Sequence, residues 1–589
     1  MISEFAHSIP VRAPIALSLL GLSWVVPFLS PNFLEPISSF YGEAAAIVLG
    51  LAALTCLYGR STWPVVQLPR ASLVFLGFAG LILLHAVAGR TVYPQQNLLA
   101  ILYLIWAVAL AALGWRLKEI FGMETLVATL SWFALAGALL SAAIGLAQWW
   151  GIPSPLKPFM LPQAHGRIYA NTGQPNHLAD YVCLGIASLI FLSGCARLRL
   201  PLAVAAAAPL LLVLVVSGSR SVWLYLAALL ILAAIHRVLR PSRAASRIVW
   251  LCVAAFAGFL LAQWLAGTLA DSSVMQVESI ASRVHSKGIL SPIRLRLWHE
   301  AWLMFRDAPL IGQGFGQFPW QHFLLNAQLP APRLEDILYD NAHNLLLQTL
   351  AEFGLAGLAV LIAGFVFWLR GVARSEFSAP MWWVLSAVAV LGVHSMLEYP
   401  LWYAYFLGIA AVLLGVSESA AIRIGNRTGG RLVQALILLL GWMAAANIYQ
   451  DYRTLQSLHR VQSRTAGTDG RSTTDVLLEL QQHSLFTPFV ELALSRLIAL
   501  NREQLEDKLV VNGAAMHFAP AADVVYRQAV LLALDGQEDA AHAQWDRSVA
   551  NYPGNRAGVI EVLEAMSSSD ARVSDLLNYA KARSAGERK

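Results

Sequence analysis

Apolar residues run along this chain in blocks too continuous for alternating strands and too long for most soluble helices. A helix that crosses a bilayer needs roughly 20 predominantly apolar residues, with about 17–25 as the usual range. That ruler selects about thirteen segments. Their cores lie at 13–30, 43–58, 71–89, 97–114, 124–148, 176–194, 199–217, 221–239, 248–269, 343–369, 381–397, 400–417 and 432–449. Beyond 449 no spanning run remains and charge density rises. The pattern predicts an all-α polytopic membrane protein, with a transmembrane domain over 1–449 and a soluble helical domain over 450–589. In the tail, VVYRQAVLLALDGQEDAAHAQWDRSVANYPGN places Ala529, Gly536, Ala541, Trp545 and Pro553 at tetratricopeptide spacing, or marks a plain helix pair joined at a Gly turn.

Composition agrees: 57% of residues are hydrophobic and only 13% charged, where soluble domains carry about a quarter. The net charge of +6 does not point to nucleic acid, because most of the basic excess sits in short loops between apolar segments. One set of alternate loops holds Arg60, Arg70, Arg116, Lys118, Arg197, Arg199, Arg237, Arg240, Arg243, Arg247, Arg370, Arg374, Arg423, Arg427 and Arg431. The short loops of the other set hold Arg90, Lys157, Arg167 and Arg220. The first set is therefore expected in the cytoplasm, with the N-terminus inside and the C-terminus outside. A long loop over 270–342 then faces outward. Cys56, Cys183, Cys195 and Cys252 lie in or at the ends of apolar segments without C-x-x-C spacing, so neither a disulfide framework nor a zinc site is expected. The first apolar stretch lacks a small-x-small cleavage site and reads as a retained span.

Ionisable groups at membrane depth are costly and commonly mark function. Here they gather on the expected outer side. HGRIYANTGQPNHLADY carries Arg167, Gln174, Asn176 and His177; SGSRSVW carries Arg220; SPIRLRLWHEAW carries Arg294 and Arg296; HSMLEYPLWYAYF carries Glu398; and His343 opens the tenth segment. Each has a plain alternative. Arg220 reads equally as a snorkelling interface arginine, and His343, behind Asp340 and Asn341, as a residue in the first turn of a capped helix. Gly354 and Gly357 read as helix-packing positions. Gly312, Gly314 and Gly316 are not a dinucleotide loop, since no strand precedes them. Glu335, Asp336 and Asp340 read as loop acidity before metal ligands. Together, several arginines suit a phosphate or diphosphate, and a neutral His beside them suits proton acceptance. Trp298, Trp302, Trp320 and Trp402 fit either sugar stacking or interfacial anchoring.

SGSRSVW, then RLRLW with PLIGQGFG, then H-N-x-L-L-x-x-x-x-x-E-x-G-x-x-G resemble the O-antigen ligase and polymerase superfamily. RIYANTGQPNHLA, LEYPLWYAYFLG and the soluble helical tail more narrowly resemble bacterial O-oligosaccharyltransferases of the PglL/PilO type, which glycosylate pilins and other exported proteins. The resemblance implies en bloc glycan transfer from undecaprenyl diphosphate to Ser or Thr on the periplasmic face of the bacterial inner membrane. It places His343 as the base and Arg220, Arg294 and Arg167 at the lipid diphosphate. Gln174, Asn176 and Glu398 become site-forming residues, and neither metal nor cofactor is implied. Spacing to Trp298 favours Arg294 over Arg296. The partners implied are the lipid-linked oligosaccharide, an acceptor protein such as a pilin, and the bilayer. Two other functions stay open: an O-antigen ligase acting on lipid A–core, and a lipid-glycan transporter. One-sided charge weighs against the transporter, which needs a site near the midplane.

Overall fold

The computed structural model describes residues 10–586 apart from 60–62, 64, 152–156, 163–166, 270–291, 330–337, 425–426, 462–471 and 569. Each predicted apolar segment falls mainly on helix. Among the described residues, seven helices are long and apolar enough to cross a membrane: Pro94–Trp150, Pro175–Gly194, Leu200–Ser217, Val222–Leu239, Arg243–Ala266, Leu345–Ala373 and Gly429–His459. Five further apolar helices among the described residues are shorter. Pro94–Trp150 holds two of the predicted segments, and its 57 residues break at Gly122, whose φ of 75° no ordinary helical residue adopts. The protein is thus a multi-pass membrane protein.

Two compact units divide the chain. The first comprises the described residues of Met1–Phe78, Leu102–Ser291 and Val360–Asn447. At its centre lies Pro175–Gly194, predominantly apolar and buried along nearly its whole length. Its neighbours approach closely: a Cβ on Gly185 would meet the Ala138 Cβ at 2.3 Å. The Tyr181 ring stacks on Phe28 at 3.8 Å and its hydroxyl donates to Trp24 O at 2.6 Å. Small residues permitting such approach are how helices associate where burial of oily surface gives no net drive. One feature departs from the all-α expectation. Val66–Pro69 and Ala421–Ile424 form an antiparallel two-stranded sheet with Gln67 opposite Arg423. Four-residue strands leave no periodic trace in an apolar sequence, which is why the pattern missed them.

The second unit comprises Ala79–Ile101, Pro292–Ala359 and the described residues of Ile448–Lys589. The tail is a stack of short helices. Ala522–Asp535 and Glu538–Asn551 pair through a turn at Gly536, which takes the left-handed conformation at φ 81°. Trp545 is fully buried, with the Tyr526 ring set edge-to-face at 5.3 Å between centroids. Phe323 belongs to this same core, so the short helix Phe318–Asn326 is built into the tail rather than left in a loop. Trp320, partly buried, packs there too, its ring centroid 5.6 Å from that of Phe323 and 4.3 Å from that of His517.

Candidate active site

Five candidate residues, Arg167, Gln174, Asn176, Arg220 and Glu398, lie in the first unit; Arg294 and His343 lie in the second.

In the first unit, Pro175 starts the central helix with Gln174 extended before it. The preceding loop is pinned by side chains standing in for absent backbone partners. Gln148 donates to Ala170 O at 2.7 Å and accepts from Ala170 N–H at 2.8 Å. Asn171 donates to Leu29 O at 2.8 Å and to Phe159 O at 2.9 Å. One residue into the helix, Asn176 Nδ2 donates to Glu398 Oε1 at 2.8 Å while its Oδ1 accepts from Ser219 Oγ at 2.8 Å. Gly218, left-handed at φ 64°, ends the helix Leu200–Ser217, and Arg167 donates to Ser217 O at 3.2 Å. Arg167, Asn176 and Glu398 therefore converge on the turn that carries Arg220. Glu398 and Ser219 are buried, so the pairing is held away from competing water.

The central helix also forms a buried pair with helix Ala379–Ser395 that no motif in the sequence marks. His394 donates a short hydrogen bond to Asp180, both fully buried, and the His177 ring sits edge-on at 5.5 Å from His394. The signal was available as His177 and Asp180 three apart on an apolar helix.

In the second unit, His343 does not open the helix. Asn344 does: its side chain accepts from Leu347 N–H at 3.1 Å, and the helix runs from Leu345. This corrects the first-turn reading of His343. It stands just before the cap in the left-handed conformation, φ 49°, its N–H donating to Asn341 Oδ1 at 2.9 Å. Gln348 reaches back to accept from Ala342 N–H at 2.7 Å, so the approach to His343 is fixed on both sides. Ala342 packs with Leu297, Ala301 and Met304 of helix Pro292–Asp307, the helix that bears Arg294.

Gly354 also differs from its helix-packing reading. The helix breaks there (φ 59°, ψ −152°), and Pro309 O lies 2.6 Å from where a Cβ would stand. Freed by the break, Leu355 N–H donates to Pro309 O at 2.8 Å and Ala356 N–H to Leu310 O at 3.0 Å. In return Gln313 N–H donates to Ala351 O at 2.9 Å and Gly314 N–H to Glu352 O at 3.1 Å. The two sequence motifs, residues 307–318 and 343–357, are thus one interlocked structure. Buried His85, absent from the sequence candidates, completes it: Nε2 donates to Ile311 O at 2.8 Å and Nδ1 accepts from Phe315 N–H at 3.1 Å.

Arg296 is committed elsewhere. Its Nε donates to buried Glu300 at 2.9 Å and its Nη2 to Asn326 Oδ1. Of the acidic set, Glu335 and Asp336 lie outside the described residues, and the Asp340 carboxylate accepts from Asn341 at 2.5 Å.

Residues 205–362 match the family model described as O-antigen ligase, and residues 382–563 match that described as virulence factor membrane-bound polymerase, C-terminal. The first stretch contains Arg220, Arg294 and His343; the second contains Glu398 and most of the tail. The chain is 26% identical over 510 residues to a general O-oligosaccharyltransferase of Acinetobacter baylyi, covering 84% of this chain and 85% of that protein. It is 22% identical over 445 residues to a ComP-specific O-oligosaccharyltransferase of the same organism, covering 74% and 77%. The resemblance drawn from the motifs is borne out.

Proposed function

From a chain that carries the O-antigen ligase segment and aligns along most of its length with two O-oligosaccharyltransferases, we propose a protein O-oligosaccharyltransferase. The length-wide similarity, through spans and tail alike, is the observation that carries it. The donor is a preassembled glycan on undecaprenyl diphosphate, and the acceptor is a Ser or Thr hydroxyl of an exported protein such as a pilin.

His343 takes the hydroxyl proton as the acceptor oxygen bonds to the anomeric carbon. The bond from that carbon to the diphosphate oxygen breaks, undecaprenyl diphosphate leaves, and the anomeric centre inverts. Arg220, Arg294 and Arg167 stabilise the charge gathering on the departing diphosphate. Asn176 and Glu398 shape the donor site through the Asn176 bridge, and Gln174 shapes it from the extended residue before the helix. No metal enters this scheme, and activity is expected to persist in EDTA. The chain crosses the inner membrane about thirteen times, with the N-terminus cytoplasmic and the C-terminus, holding one tetratricopeptide-like pair, periplasmic.

The test is purified protein in detergent, given lipid-linked glycan and a pilin-like acceptor. Glycan joined to the acceptor without any vesicle supports the reading and disposes of transport. The family description favours one second reading, an O-antigen ligase; transfer only to lipid A–core in the same assay selects it.

A further inference from the structure

The tail shares a core with helix Phe318–Asn326, and at the far end of that helix a chain of polar contacts sets out toward His343. Asn551, at the end of a tail helix and buried, donates to Phe323 O at 3.0 Å and to Arg547 O at 2.9 Å. Its Oδ1 accepts from Asn326 Nδ2 at 2.7 Å. Asn326 Oδ1 accepts from Arg296 Nη2, and Arg296 Nε donates to Glu300 Oε1 at 2.9 Å. The other Glu300 oxygen accepts from His322 Nδ1 at 2.5 Å. The His322 ring meets the edge of Tyr339 at 5.8 Å, perpendicular to it, and Tyr339 meets His343 at 6.4 Å.

Donors and acceptors alternate along this path without conflict, so every amide orientation is fixed by its neighbours. Glu300 is fully buried and has both oxygens occupied by cationic or imidazole N–H groups. A buried carboxylate costs too much to leave half satisfied, so displacing one partner displaces the rest. Tyr339 in turn packs on the small core of Leu297, Ala301 and Ala342, adjacent in sequence to His343.

We infer that the tail is a positioning element for the proposed base: Asn551, acting through Asn326, Arg296, Glu300 and His322, holds Tyr339 and thereby the His343 ring. The inference rests on the reading of His343 as the base. None of these intermediaries touches the reacting atoms; they are positioning residues. A tail that only recruited the acceptor would have no use for a satisfied polar chain running away from its own surface.

The experiment is a double-mutant cycle in the full-length protein in detergent, measuring kcat and both KM values for glycan transfer. Asn551→Ala cuts the tail end. His322→Asn keeps an N–H near the Nδ1 position for Glu300 but removes the ring against Tyr339. Each is expected to lower kcat by about tenfold, the scale of a small misplacement of a catalytic group. Both KM values stay within about twofold of wild type, and the double variant falls no further than the poorer single. Where Asn551→Ala does not accumulate, Asn326→Asp serves, since it keeps an oxygen for Arg296 and drops only the donor to Asn551. A raised acceptor KM at unchanged kcat, or losses that multiply to about a hundredfold, overturns the inference and leaves the tail as a recruiter. Wild type that transfers no glycan at all overturns the underlying reading and this inference with it.

Discussion

Asn341 Oδ1 accepts the backbone N–H of His343 at 2.9 Å, and with that bond the chain holds His343 at φ 49°. A non-glycine residue in this region costs on the order of 1–3 kcal/mol, and such strain gathers where a side chain must be aimed. Asn341 is itself buried. Asn341→Ala is expected to cut glycan-transfer turnover by about tenfold while membrane abundance stays within about twofold. Asn341→Ser, whose hydroxyl can accept the same N–H without setting a second carboxylate against Asp340, retains most of the turnover. Equal loss in both variants, measured at matched protein levels, would show that this bond does not aim the imidazole.

The amide of Asn176 joins Glu398 to the turn bearing Arg220. If that turn presents Arg220 to the diphosphate, Asn176→Leu and Arg220→Ala each raise the donor KM by about tenfold, and the double variant raises it little further. Titration of lipid-linked glycan at saturating acceptor reads this directly. Full additivity would separate the two residues.

Arg294 and Arg296 sit two apart on one helix and are expected to fail in different ways. Arg296→Leu strips a partner from fully buried Glu300, at a cost on the order of 3 kcal/mol, seen as a lower melting midpoint in detergent. Arg294→Leu leaves the midpoint near wild type and weakens the donor. A stable Arg296 variant with a raised donor KM would reverse the assignment.

Glycine at 312 is expected to admit no substitute. Its φ is 75°, and an added Cβ would lie 2.2 Å from the Glu352 carbonyl carbon, which is backbone and cannot yield. Gly312→Ala therefore separates the two interlocked motifs, and little folded protein reaches the membrane fraction. Gly392, helical and with nothing within 4 Å of its Cβ position, takes Ala without loss. Folded yield by fluorescence-detected size exclusion compares the two.

The membrane helices were legible because a spanning helix must be apolar over a fixed length, and residues 176–194 or 221–239 announce themselves that way. Asn176 and Glu398 could be named from their motifs, 222 residues apart, but not joined, since nothing in either segment says that one amide bridges them. His343 was found and its setting misjudged, because Asp340, Asn341 and Asn344 are all good caps and only the backbone shows which one starts the helix. Gly354 lies in an unbroken apolar run, so its break, and the loop it receives from Pro309 onward, left no trace in the periodicity. Asp180 and His394 pair across 214 residues, each concealed inside an apolar segment. Glu300 and His322 fall within the stretch 270–342 that reads as a loop, and only burial reveals them as a fixed pair.

The account turns on His343 as the base for transfer to a protein hydroxyl. The most direct measurement is intact-protein mass spectrometry of a pilin-like acceptor in cells that supply lipid-linked glycan. Wild type and His343→Ala are compared at matched membrane levels. The account predicts a glycan-sized mass increase with wild type and none with His343→Ala. An undiminished increase in the variant contradicts it.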